Sequence, residues 1–230
     1  MRILLLLLLV SCIPRLAGAD YILGPPEVNK TLKALALFQR EQHEAKDAAA
    51  KAEVLAKLAK EANYLVSLIN LEIRSHGFEQ KPLIDLTVSR CEQLNVIITY
   101  DSRKERYVYD QGAYAEYIRL HPSGPDAQEA RYQVFERTFY SQKSTDLPGI
   151  TRLIYDIKEF LALYPEDTRR SELELFQVVL HRDLFRIKAA EPGGGLDEKA
   201  RVENLCKALI AKYPASPEAR VAETILKNLK

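Results

Sequence analysis

Four histidines, two interior cysteines and one run of three glycines are the residues here whose types could support chemistry. The histidines are His43, His76, His121 and His181. None has a second His or Cys at chelating distance in sequence, as in H-E-x-x-H or C-x-x-C, so no metal-ligand set is assigned. The glycines fall in Glu191-Pro192-Gly193-Gly194-Gly195. That run lacks the strand-to-helix context of a phosphate loop and reads as a flexible connector. No G-x-S-x-G elbow presents a nucleophile. Carboxylates are plentiful, but they follow the solvated faces of helices, and a glycosidase-type pair has no spacing rule that sequence can reveal. No catalytic, cofactor-binding or metal residue is therefore assigned, and the chain is expected not to be an enzyme.

The first segment is an export signal rather than part of a fold. Arg2 precedes the apolar run Ile3 to Val10, a break at Pro14 follows, and Ala17-Gly18-Ala19 gives a small-residue cleavage pattern. The run is far shorter than the ~20 apolar residues that span a bilayer. Residues 1–19 are thus a signal peptide cut after Ala19. A second reading is carried by Leu9-Val10-Ser11-Cys12, which resembles a bacterial lipobox with Cys12 as the lipidated residue. Either reading places the mature protein in the periplasm or cell envelope, or outside the cell if the source is eukaryotic. Membrane attachment follows only from the Cys12 reading. Removing Arg2 and Arg15 leaves 31 basic against 32 acidic residues, with no block of one sign, which argues against a nucleic-acid partner. An oxidising compartment would allow one bridge between Cys91 and Cys206. Both lie on apolar helical stripes, however, which favours two buried thiols.

With 230 residues, 47% of them hydrophobic and only 9 glycines, the chain has the composition of a helical globular protein. Residues 20–30 contain Gly24-Pro25-Pro26 and read as an exposed lead-in; Asn29-Lys30-Thr31 is formally a glycosylation sequon. Residues 31–110 form an N-terminal helical region. One long helix is expected from about Thr31 to His76, stopped at Gly77, with a short seam of Leu55, Leu58, Ala62, Leu65 and Ile69. A second helix begins near Pro82. Beyond Asn95 two readings stay open. The alternation in NVIITYDSRKERYVYD suits a hairpin, while the helical neighbours favour a helical or irregular continuation. Tyr107, Tyr109 and Tyr114 belong to a tyrosine cluster here. Tyrosine gives large contact area with a polar tip, so these three are the candidate partner surface.

Residues 111–230 show helical stripes and a repeat. HPSGPDAQEARYQV, from His121, aligns without gaps on YPASPEARVAETIL, from Tyr213. Pro122 matches Pro214, Pro125 matches Pro217, and Ala127 and Ala130 match Ala219 and Ala222. A degenerate third copy begins at Tyr164-Pro165 and carries Arg170 and Leu173 at the alanine positions. Pro122, Pro165 and Pro214 recur at intervals of 43 and 49 residues. Each corner has a physical rationale. The residue before a proline avoids the α region, which ends one helix. A proline at the first position of the next helix loses no hydrogen bond, so Gly124 and Ser216 are expected as caps with Pro125 and Pro217 following them. The pattern resembles tetratricopeptide-type (TPR-like) helical repeats of bacterial envelope proteins, over about residues 112–230. Within that class it looks most like outer-membrane assembly lipoproteins and periplasmic cell-division coordinators. The resemblance implies an all-α fold of stacked antiparallel helix pairs, here preceded by the long N-terminal helix. It also implies a scaffold that binds a protein or peptide partner, with no catalytic residues to carry over.

The expected role is an exported scaffold or adaptor. The alternatives are a membrane-anchored outer-membrane assembly lipoprotein and a periplasmic enzyme on a helical frame, such as a cell-wall hydrolase. The intact mass of the mature protein separates the two N-termini: a chain beginning at Asp20 is expected, whereas a diacylglyceryl adduct on Cys12 would establish the lipoprotein.

Overall fold

The computed structural model describes residues 21–102, 104–142, 146–190 and 194–229. The expected signal segment, with Ala19 and Cys12, lies outside the described residues. Among those described, nine helices and one two-stranded hairpin are present, an all-α fold. They fall into two compact units that divide after Val134.

The first unit is organised on one buried helix. Helix α1 spans Pro25–Glu44 and α2 spans Ala48–His76. The single helix expected over residues 31–76 is therefore two. Ala45 turns out of helix at φ −61°, ψ 125°. Asp47 restarts it by accepting the Ala50 N–H at 2.8 Å. An Asp at this position satisfies one of the donors that a helix start leaves unpaired. The polar, Ala-rich stretch around the break has no apolar stripe to hold one helix straight, and α1 instead packs against α2. The seam residues of α2 are all buried, from Leu55 to Ile69. Gly77, at φ 64°, ends α2 by donating its N–H to the Ile73 carbonyl at 2.8 Å, as its sequence position suggests.

Residues 21–30, the described part of the expected lead-in over residues 20–30, are not an exposed lead-in. Helix α1 starts at Pro25, where proline is tolerated because the first N–H groups have no partner in any case. Leu23 and Val28 are core residues. Glu72 of α2, wholly buried, accepts the N–H groups of Ile22 at 2.7 Å and Leu23 at 2.9 Å. Two charge-assisted bonds to backbone are what make a buried carboxylate tolerable, and they fasten this segment to α2.

Helix α3 covers Lys81–Gln93. The hairpin follows, with β1 at Ile98–Asp101 and β2 at Arg106–Tyr109, antiparallel, Ile98 opposite Tyr109. Of the two readings left open for residues 95–111, the described residues show the hairpin. Asn95, Glu105 and Gln111 take positive φ values of 55°, 51° and 65° around the strands. A lone hairpin is marginal in water. This one is docked by Asn70 of α2, which donates to the Tyr107 carbonyl at 2.8 Å and accepts the Tyr107 N–H at 2.7 Å. Helix α4, Gly112–Leu120, then packs on α2. Helix α5 spans Ala127–Ser141, and Ala127 and Ala130 lie in the first unit's core.

In the second unit, α6 covers Leu147–Leu163, α7 Arg170–Lys188, α8 Leu196–Lys212 and α9 Pro217–Lys227. Helices α7, α8 and α9 each pack on the one before, and α9 also reaches α7. That second contact makes a stack of helix pairs rather than separate hairpins. The apolar stripes point inward: Ile150, Leu153 and Ile157 on α6, Leu173, Phe176 and Leu180 on α7, Val202, Cys206 and Leu209 on α8. Phe139, near the end of α5, stacks on Phe176 with ring centroids 4.1 Å apart.

Cys91 and Cys206 are free and buried, one in each unit, so the bridge considered between them is not formed. Burial pushes the Cys91 thiol up to about 12 and raises that of Cys206. A thiol reagent at pH 8 should modify Cys91 in the folded protein roughly 10³-fold more slowly than an unperturbed cysteine, because the thiolate is the reacting species. Denaturant should release both of these thiols; counting reactive thiols before and after unfolding checks this.

Candidate functional site

The repeat corners are the first group to place. Three helices, α4, α6 and α8, end at His121, Tyr164 and Tyr213, each followed by proline. These residues adopt nearly one conformation: φ −144°, ψ 66°; φ −130°, ψ 68°; and φ −131°, ψ 56°. Each donates its N–H to the carbonyl four residues back, Tyr117, Phe160 or Leu209, at 2.8, 2.9 and 2.9 Å. Each carbonyl then accepts the N–H three residues on, from Gly124, Asp167 or Ser216, at 3.0, 3.2 and 3.0 Å. Pro122, Pro165 and Pro214 therefore sit in one recurring turn.

After that turn the corners diverge. Pro217 takes the first position of α9, and Ser216 caps it by accepting the Ala219 N–H at 3.1 Å, as the sequence implies. Pro125 does not open α5. It stays in the turn, and the helix begins at Ala127. Here the Tyr117 hydroxyl accepts the Asp126 N–H at 3.0 Å. It occupies the space above Gly124, where any Cβ would collide with Tyr117 Oη and His121 Nδ1. A tyrosine from the preceding helix thus replaces the expected cap. At the middle corner, Asp167 accepts the Arg169 N–H at 2.7 Å. Leu173, at the position of the small Ala130 and Ala222, is equally buried.

Tyr107, Tyr109 and Tyr114 do not form a partner surface. They are only 6%, 3% and 2% exposed. Alternation along β2 turns Tyr107 and Tyr109 to the same side, and the docked hairpin carries that side into the core. The Tyr109 hydroxyl accepts the Ala113 N–H at 3.0 Å, and burial pushes it up to about 12. Burial raises Tyr114 as well.

What the sequence did not single out is a cleft in the second unit, about 330 Å³ in volume, across α6, α7 and α8. Helix α7 contributes His181, Leu184 and Lys188, which share one face at three- and four-residue spacing. Glu198 and Arg201 come from the start of α8, and Ile154, Tyr155 and Lys158 from α6. His181 Nδ1 lies 2.9 Å from Glu198 Oε2, and Lys188 Nζ donates to Glu198 Oε1 at 2.9 Å. Burial opposes ionisation of Glu198, yet the hydrogen bonds from Lys188 and His181 outweigh it and hold the carboxyl below its usual range. Burial lowers His181, against the raising effect of the Glu198 bond, so the ring is neutral at pH 7. A carboxylate can only accept, so Nδ1 carries the proton and Nε2 is the ring's acceptor.

Lys158 and Arg201 make no ion pair with any described residue, and both lower His181 through their charge. The cleft is thus cationic, with one oriented imidazole acceptor and apolar walls. Among the described residues, no group of three or more His, Cys, Asp and Glu gathers as a metal site. Thr151 commits its hydroxyl to the Leu147 carbonyl at 2.9 Å. His181 and Glu198 are 17 residues apart and lie on different helices, so no local spacing rule announces them. The one legible hint was a histidine inside the apolar stripe of α7. No protein-family model and no characterised protein matches this chain in sequence.

The folded state disfavours protonation of His181, so the unfolded chain takes up that proton first as pH falls. Stability is therefore lost as pH drops below ~6.5, the ordinary histidine value, toward the lowered folded value. The Glu198 contribution, present above the ordinary carboxylate range, is lost at still lower pH. A His181→Gln variant should show a smaller fall in melting temperature between pH 7 and 5.5 than the parent; equal falls would show that His181 does not titrate in this way.

Proposed function

We propose that this protein is an exported, non-enzymatic scaffold or adaptor of the cell envelope that holds a protein or peptide partner on a tetratricopeptide-like helical array. The observation that carries this reading is the aromatic-Pro corner, repeated three times with one backbone conformation and one hydrogen-bond pattern. The same turn closes three helices, and stacked pairs offer an extended surface suited to a partner chain. The export signal, the balanced charge and the lack of any spaced catalytic motif are consistent with the same role. Nucleic acid is not the expected partner.

A second reading has one observation in its favour. A neutral imidazole oriented by a carboxylate is also the arrangement of a general base. It would make the protein an envelope enzyme, such as a cell-wall hydrolase, on a helical frame. Panning a random dodecapeptide display library against the mature protein separates the two. A scaffold should enrich peptides that bind saturably, near one per chain by calorimetry, and that are recovered intact. Cleavage of those peptides, or release of soluble fragments from purified cell wall that His181→Gln abolishes, would establish the enzyme instead.

A further inference from the structure

Resting on the partner-binding reading, we propose that the cleft across α6, α7 and α8 is the docking site for an acidic peptide segment of the partner, one in which a carboxylate side chain neighbours an apolar one. Three features of the cleft define that occupant.

The first is charge. Glu198 is neutralised by Lys188 at 2.9 Å. Lys158 and Arg201, on the two flanking helices, then remain as cations without an ion-pair partner among the described residues. A carboxylate placed between them gains two charge-assisted contacts. The second is hydrogen bonding. His181 Nδ1–H is committed to Glu198, so Nε2 accepts, and it is complemented by a donor such as a peptide N–H. A phosphodiester backbone has no such donor. The third is apolar contact. Tyr155, 66% exposed, and Leu147, 43% exposed, form the lip, with Ile154 and Leu184 beneath. Exposed tyrosine and leucine beside the Lys158 and Arg201 cations are the ingredients of a peptide anchor. A volume of about 330 Å³ suits two or three residues of an extended segment.

The test uses the peptides enriched by panning on the mature protein, with the affinity of the tightest measured by fluorescence anisotropy. Binding is compared across the parent, Lys158→Glu/Arg201→Glu, Lys158→Gln/Arg201→Gln and His181→Gln. Lys158 and Arg201 are exposed, so their variants should keep the parental circular dichroism spectrum and melting temperature. The enriched peptides should contain Asp or Glu beside a large apolar residue. Affinity should fall at least tenfold on charge reversal and less on neutralisation, and it should weaken with added salt. His181→Gln, with charge unchanged, should also weaken binding.

Enriched peptides that lack acidic residues, or whose affinity is indifferent to charge reversal, would overturn this site while leaving partner binding intact. A failure to enrich any binder would overturn both. Sedimentation with phosphatidylglycerol vesicles is the parallel arm. Vesicle binding that charge reversal abolishes, without peptide binding, would assign the cleft to a lipid surface and overturn the peptide proposal.

Discussion

A residue that precedes proline is denied the helical region of backbone space, and the corners of this protein are built on that prohibition. His121, Tyr164 and Tyr213 each end a helix at the same φ and ψ because the following proline leaves them few alternatives. The aromatic side chain is set at the end of the helix just completed. The carbonyl is free to accept the N–H three residues on, which closes the turn. In the second unit the helix that follows each corner packs on the helix before it. In the second unit the outcome is a stack in which α9 touches both α8 and α7. Beyond the turn the corners differ: α9 starts at Pro217 under a Ser216 cap, α7 at Arg170 without a side-chain cap, and α5 at Ala127 beneath the Tyr117 hydroxyl.

The first unit meets a different problem, that of attaching non-helical backbone to a helix. Strands and lead-in segments carry unpaired N–H and C=O groups, and burying them unpaired costs far more than a hydrogen bond returns. Polar side chains projecting from α2 supply the partners. Glu72 takes the two N–H groups at the start of the described chain, and Asn70 clamps β2 from both sides of one residue. Asn63 exchanges two bonds with Gln111, at 2.8 and 3.2 Å, where the chain turns at positive φ into α4. The same helix carries the apolar seam. Its register therefore serves two purposes, a dry face toward α1 and α4 and a set of polar hooks for everything that is not helical.

Much of this was legible in the residues. The stripes of α6, α7 and α8 are periodic and each is buried where periodicity places it. Gly77 and Ser216 act at the helix ends that their chemistry suggests. The errors are equally instructive. Helix propensity alone carried the N-terminal helix through residues 45–47, because Ala, Glu and Lys favour helix whether or not a partner holds it. Asp47 was the overlooked signal. Tyrosine suits interfaces, yet whether Tyr107 and Tyr109 face water or core depends on which side of β2 docks. Pro125 and Pro217 have the same local sequence logic, but only one opens a helix, since Tyr117 reaches over Gly124 from the helix before.

The sequence by itself determined the all-helical class, the positions of the corners and the inward faces of the second unit, because those depend on backbone restriction and periodicity within a few residues. Tertiary structure alone decided the fold of residues 95–111, the burial of Tyr107, Tyr109 and Tyr114, and the meeting of His181 with Glu198 and Lys188. These depend on which surfaces come together across tens of residues. A hydrogen bond of 2.9 Å between two helices leaves no trace in the spacing of either.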